Sequence, residues 1–148
     1  MKFKKLHENA VLPKRATDGS AGYDIYAVKE TFIPSPTGPI WEYDTGLAVE
    51  VPKGFVGILC ARSSVTKKTT FILGNAVGIL DSDYRGEFKF QFRDIKPQGG
   101  MTKRFDLTQA IGQLIVIPYL YSEPEFVKEL SETKRDDGGW GSTDVKKS

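Results

Sequence analysis

Apolar and polar positions alternate along this chain in short bursts, and turn-forming residues close most of them. Gly22 to Val28 alternates, as do Glu87 to Phe92 and Gly46 to Val51, the last with Leu47, Val49 and Val51 on one face. A period of two sends successive side chains to opposite faces, so these runs predict half-buried strands. Phe55 to Cys60 and Gln113 to Leu120 are more continuously apolar and predict core strands. Breakers fall at Pro34, Pro36, Gly38-Pro39, Pro52-Lys53-Gly54 and Pro97-Gln98-Gly99-Gly100. Ser63 to Thr69 is the one stretch with helical character, and seven residues allow at most two turns. Many short strands, frequent turns and no internal repeat predict a single all-β domain over residues 1–130, as a sandwich, jelly roll or small barrel. Residues 131–148 differ, being polar, glycine-containing and nearly without apolar anchors, and predict a flexible C-terminal arm.

Composition narrows the class. The 148 residues suit one domain, a size that buries roughly two-thirds of the unfolded surface. The 21 basic and 19 acidic residues carry no long runs, so no basic patch argues for direct nucleic-acid binding. Cys60 has no partner for an internal disulfide, and one Cys with one His (His7) cannot build a zinc site. Within its apolar run, Cys60 reads as a buried structural thiol. Met1-Lys2-Phe3-Lys4-Lys5 is basic without an apolar segment behind it. The longest apolar run, Leu114 to Tyr121, is too short to span a bilayer. A soluble, intracellular, cytoplasmic protein that makes no use of a membrane is expected.

The most informative chemistry lies in Gly74-Asn75-Ala76-Val77-Gly78-Ile79-Leu80-Asp81-Ser82-Asp83-Tyr84-Arg85-Gly86. Turn propensity explains part of it. Asn75 precedes Asp81 by six residues, and even spacing on a strand places side chains on one face. An amide and a carboxylate are therefore expected in one pocket, with Tyr84 past its rim. Four weaker elements accompany it. Ser20-Ala21-Gly22-Tyr23-Asp24 ends a turn on a carboxylate. Arg62-Ser63-Ser64 follows a strand, as a phosphate site or as a plain helix cap beside a solvated arginine. Gln113 interrupts an apolar run, as a partnered buried amide or on a solvent face. Arg135-Asp136-Asp137-Gly138-Gly139-Trp140-Gly141-Ser142-Thr143 combines a supple backbone with hydroxyls and a ring suited to stacking on a base.

Taken together, in this order and spacing, these elements resemble the trimeric, all-β deoxyuridine triphosphate nucleotidohydrolases, the dUTPases. The family's five elements correspond to Ala21–Asp24, Arg62–Val65, Gly74–Gly86, Ala110–Leu114 and Arg135–Thr143, with Leu80 for the usual Ile and Trp140 for the usual Phe. The resemblance implies a distorted jelly-roll or β-barrel with at most one short helix and an arm closing over the active site. It implies hydrolysis of dUTP to dUMP and pyrophosphate, limiting uracil incorporation into DNA and supplying dUMP for thymidylate synthesis. Asp81 would be the general base. Asn75, Gly78 and backbone groups at Ile79, Leu80 and Lys89 would read uracil, and Tyr84 would pack beneath the deoxyribose. Arg62, Ser63, Ser64, Gln113, Arg135, Ser142 and Thr143 would hold the triphosphate, while Trp140 and Gly141 would cap the nucleotide. Mg²⁺ is the implied cofactor, carried by the triphosphate and touched by Asp24 through water. A homotrimer with shared sites is the implied assembly.

The departures are Ser64 for a Gly, Ala110 for an Arg, Asp144 for a Gly and Asp44 for a Pro before Thr45-Gly46. None removes a proposed catalytic group, although Ala110 and the loosely matching stretch 87–108 bear on the subunit contacts. Two alternatives share these features: a dCTP deaminase of the same superfamily, and a binding module that keeps the pocket without turnover. Ammonia release separates the first from a hydrolase, and an intact Asp81 argues against the second.

Overall fold

The computed structural model describes residues 1–95 and 100–138. Among these residues, nine strands and one helical turn run in the order β1 (Lys2–Lys5), β2 (Tyr23–Ile25), β3 (Lys29–Ile33), β4 (Ile40–Glu50), β5 (Phe55–Cys60), α1 (Val65–Lys68), β6 (Phe71–Leu73), β7 (Gly78–Leu80), β8 (Glu87–Asp94) and β9 (Gly112–Pro118). All pairs are antiparallel. The first sheet has the order β1-β4-β8-β6, with β3 also on β4, and the second β2-β9-β5-β7. This is the expected all-β, jelly-roll-like sandwich. The breaker expected at 97–99 lies outside the described residues.

Inward residues of both sheets make one core. Tyr43, Phe90 and Phe92 come from the first sheet, and Ile25, Leu59, Leu80 and Leu114 from the second. Phe105, from the segment before β9, locks an aromatic group edge-on to Tyr43 at 5.3 Å and against Phe92 at 4.9 Å between ring centroids. Truncating a fully buried ring of this group, such as Phe92, typically costs about 3–5 kcal/mol. The Tyr43 hydroxyl donates to Glu30 Oε2 at 2.5 Å, and Arg104 closes the chain on Glu30 Oε1 at 2.6 Å. Burial, then the neighbouring Glu30 carboxylate, pushes the Tyr43 phenol well above its ordinary range.

β4 organises the first sheet. Its first half pairs β3 on one side and β8 on the other, and its second half pairs β1. The β4–β8 register runs to Asp44↔Lys89 and resumes at Ala48↔Glu87, so three residues of β4 face Phe88 alone. Thr45 Oγ1 spans the break by donating to the Phe88 carbonyl at 2.6 Å, and the Gly46 N–H donates to Glu87 Oε1 at 2.7 Å. Gly46 sits at φ +66°, and a Cβ there would meet the His7 Cβ at 2.7 Å. Both the handedness and the space require glycine.

Several expectations change. β4 begins six residues before the predicted Gly46, because Trp41 and Tyr43 alternate with Glu42 and Asp44. β1 and β3 were not expected; Lys2 to Lys5 forms an edge strand, where lysines discourage further pairing. The helix shrinks to Val65–Lys68, a single turn. β5 and β9 are core strands on one face only. Gly57, Leu59, Gly112 and Leu114 are buried, whereas Ile58, Ile115 and Ile117 are partly or largely uncovered. Cys60 is partly rather than fully buried, and that burial raises its thiol pKa, as suits an inert cysteine.

Candidate active site

β6 stops at Leu73 and β7 is the outer strand of its own sheet, so a stretch of edge is left open on each sheet. A cavity of about 370 Å³ lies there. Asn75, Gly78, Ile79, Leu80, Asp81, Tyr84 and Lys89 all line it, so one cavity gathers every residue expected to read the base or activate water.

The route by which Asn75 and Asp81 meet differs from the expected one. They do not share a strand, since β7 holds only Gly78 to Leu80. Asn75 belongs to the turn that leaves β6, where the Ala76 N–H donates to the Leu73 carbonyl at 3.2 Å and Ala76 takes φ +61°. A non-glycine residue in that region costs roughly 1–2 kcal/mol. Asp81 is the first residue beyond β7. Its carbonyl accepts the Tyr84 N–H at 3.2 Å, and Arg85 holds the turn through the carbonyls of Ser82 at 2.7 Å and Tyr84 at 2.9 Å. Asp81 also borders a second groove floored by Phe55, Tyr119 and Tyr121.

Tyr84 folds back over Gly86, and its hydroxyl donates to the Glu87 carbonyl at 2.9 Å. A Cβ on Gly86 would come within 2.7 Å of the Tyr84 Cζ, so the ring holds its place because residue 86 has no side chain. Backbone direction along β8 alternates. The carbonyls of Glu87 and Gln91 point to the cavity side, the latter accepting the Gly74 N–H at 2.8 Å, whereas that of Phe88 points to β4. Residue 89 has the parity of 87 and 91 and presents its backbone N–H and C=O to the cavity.

The phosphate candidates form a separate group. Asp24 on β2 is opposite Gln113 on β9, which is opposite Cys60 on β5. Arg62, two residues beyond Cys60, places Nε 3.2 Å from Asp24 Oδ1, and its Nη1 donates to the Ala110 carbonyl at 3.4 Å. Gln113 Nε2 donates to the Ala61 carbonyl at 3.3 Å, so the amide is partnered. Ser64 occupies the N-cap position of α1 without a side-chain cap bond, and its φ of −76° is one that serine adopts freely where glycine is usual. Neither Arg62, Ser63, Ser64, Gln113 nor Asp24 lines the Asp81 cavity. Arg135 bonds the Gly138 carbonyl within its own turn, at 2.9 Å. Trp140, Gly141, Ser142 and Thr143 lie outside the described residues.

A sequence model of the dUTPase family matches residues 8–144. The deoxyuridine 5′-triphosphate nucleotidohydrolase of Hydrogenobaculum sp. strain Y04AAS1 is 35% identical over 143 residues, covering 97% of this chain and 96% of its own length. The chain belongs to the dUTPase family. The solved dUTPase of Staphylococcus bacteriophage 80alpha with dUpNHpp resembles it with a TM-score of 0.81 at 26% identity, covering 97% of this chain and 98% of that one. A variant dUTPase from phage phi11 of S. aureus, described with a structural Mg(II) ion, gives a TM-score of 0.72 at 24% identity, covering 86% of this chain and 96% of that one.

Seen as a dUTPase, the chain reveals residues that sequence reading passed over. Arg85, which staples the Asp81 turn, fell on a variable position of the Gly74–Gly86 element. Glu42 and Gln91 also line the cavity and bond each other, Gln91 Nε2 donating to Glu42 Oε2 at 2.8 Å. The alternation of Glu42 and Asp44 with Trp41 and Tyr43 was the signal that would have found the first. No group of three or more His, Cys, Asp or Glu residues able to hold a metal occurs among the described residues. One carboxylate beside an arginine suits a cation that arrives with a triphosphate and keeps much of its water, rather than one caged by protein.

Proposed function

We propose that this chain hydrolyses dUTP to dUMP and pyrophosphate, with Asp81 as general base. What supports this reading most is the cavity that places the Asp81 carboxylate beside Asn75, Tyr84 and the open edges of β7 and β8. Uracil presents an acceptor–donor–acceptor edge, and free strand edges offer the complementary backbone groups. A site built to pair one base rejects another strongly, because the wrong one leaves buried groups unpaired. Asp81 takes a proton from a water as its oxygen bonds the α-phosphorus, and the bond to the pyrophosphate oxygen breaks. Positioning and charge stabilisation supply most of the acceleration in such displacements.

Arg62, Ser63, Ser64 and Gln113, with Arg135, Ser142 and Thr143 of the arm, hold the triphosphate, Trp140 caps the uracil, and Gly141 beside it contacts the substrate. Asp24 would contact Mg²⁺ through water; when bound, the ion neutralises charge on the phosphate oxygens. Residues 131–148 act as the arm that completes the site. A homotrimer with shared sites accounts for two observations. The phosphate group and the base cavity share no residue within one chain. The outward faces of β5 and β9 remain apolar, and the segment after β9 exposes Leu120, Phe126 and Leu130. No helix among the described residues is long and apolar enough to cross a membrane, and we place the enzyme in the cytoplasm with its nucleotide substrate.

Pyrophosphate release with Mg²⁺ from dUTP, dTTP, dCTP and UTP at equal concentration tests the reading. Turnover confined to dUTP is expected. Ammonia from dCTP would make the chain a deaminase, and silence on all four would make it a binding module. A finer expectation concerns the sugar. Gly86→Ala displaces the Tyr84 ring, so KM for dUTP should rise about tenfold and the preference for dUTP over UTP should fall by a similar factor. An unchanged dUTP/UTP ratio would remove Tyr84 from sugar recognition.

A further inference from the structure

β8 is weakly held where it matters most. Beyond Gln91 it has no β6 partner on its cavity side, and beyond Lys89 its ladder to β4 is interrupted. Residues 87–89 therefore have no strand partner on the cavity side, and towards β4 they span the bulge, with Lys89 opposite Asp44, Glu87 opposite Ala48 and Phe88 alone without a register partner. A group of side chains on the outer face of the sheet braces this stretch. Lys89 Nζ lies 2.8 Å from Asp44 Oδ1 and 3.0 Å from Glu42 Oε1. The Asp44 Oδ1 atom is shielded from solvent and makes no hydrogen bond among the described residues, which leaves the ion contact with Lys89 to compensate its charge. Glu42 uses its second oxygen for Gln91 Nε2 at 2.8 Å. One carboxylate thus ties the side chains of residues 89 and 91, which frame the open edge, and Asp44 is the last residue of β4 in register before the break.

We propose that Lys89 is a positioning residue for base recognition: its side chain, clamped by Asp44 and Glu42, fixes the backbone N–H and C=O that the same residue presents to the cavity. The inference rests on the dUTP reading and assigns a role to Asp44, which stands where the family commonly has proline. A proline there fixes its own φ; here a cross-strand ion pair next to the bulge supplies the stiffness. The electrostatics run in the same direction, screened by the partial exposure of Lys89. Asp44, then Glu42, raises the Lys89 ammonium pKa above its usual range, and the Gln91 bond, then Lys89, lowers that of Glu42.

The test uses the full chain, with Lys89→Met and the double variant Glu42→Gln/Asp44→Asn, beside Lys89→Arg as the conservative rescue. For the first two, KM for dUTP should rise about tenfold with kcat within about twofold, and the kcat/KM preference for dUTP over dCTP should fall about tenfold. Amide exchange at Phe90, which faces β4 opposite Tyr43, should quicken about tenfold while that of Phe92 is unchanged. Lys89→Arg should recover most of the KM and the preference. If the wild type turns over dUTP and the variants match it in KM, preference and exchange, the positioning role is wrong and the dUTP reading stands. A parallel loss of KM, kcat and melting temperature would also overturn it, as general loosening. A wild type that hydrolyses no dUTP overturns both.

Discussion

Asp81→Asn is expected to lower kcat by about 10²–10⁴, the usual contribution of a positioned general base, while leaving affinity for a non-hydrolysable dUTP analogue within about threefold. The asymmetry follows from where the residue sits. Asp81 lies just beyond β7, in a turn secured by its own carbonyl and by Arg85, so the amide replacement disturbs no bond that shapes the turn. Asparagine keeps the size and polarity of the side chain and loses the ability to accept a proton from water. Single-turnover pyrophosphate release together with calorimetry on the analogue separates the two quantities. Loss of binding along with turnover would make Asp81 a structural residue and leave the site without its base.

Mixing two dead variants should restore activity. Arg62→Ala removes the guanidinium from the phosphate group and is expected to cost about 10²-fold or more in kcat/KM, since charge-assisted contacts to a triphosphate act most strongly in the transition state. In one chain the Arg62 group and the Asp81 cavity share no lining residue. If neighbouring subunits of a cyclic trimer supply the two halves, co-expressed Arg62→Ala and Asp81→Asn chains form some sites with both halves intact. Random assembly gives about one site in four, hence about a quarter of wild-type activity. Recovery at that level, in a species near three times the 16.5 kDa chain mass by light scattering, would establish sharing. Activity no higher than the sum of the separate variants would confine each site to one subunit.

What the sequence revealed of the fold depended on whether a strand's pattern was set by this chain alone. Phe55 to Cys60 matches β5 to the residue, because its apolar run ends against a turn on both sides. Ile40 to Thr45 escaped notice because Glu42 and Asp44 look like turn residues until Lys89 and Gln91 are placed across from them. The even-number argument for Asn75 and Asp81 put both on one cavity by a wrong path, since Ala76 turns the chain between them. Local spacing could not show that β6 ends early and leaves β8 uncovered, which is a property of two strands meeting. The resemblance supplied the position of residue 89, and only backbone direction along β8 gave a physical reason for it.

The packing of Trp41 has an optical consequence. The indole is held between Phe32 at 5.1 Å and Phe71 at 5.9 Å, with the Arg104 guanidinium 5.2 Å from its ring. Its emission therefore reports the integrity of the aromatic core and should stay constant while the chain remains folded. The chain has one other tryptophan, Trp140. If residues 131–148 close over the site as proposed, Trp140 adds an emission that responds to nucleotide beside the core signal of Trp41, and Trp140→Phe should remove the nucleotide-induced change, with no extrinsic dye.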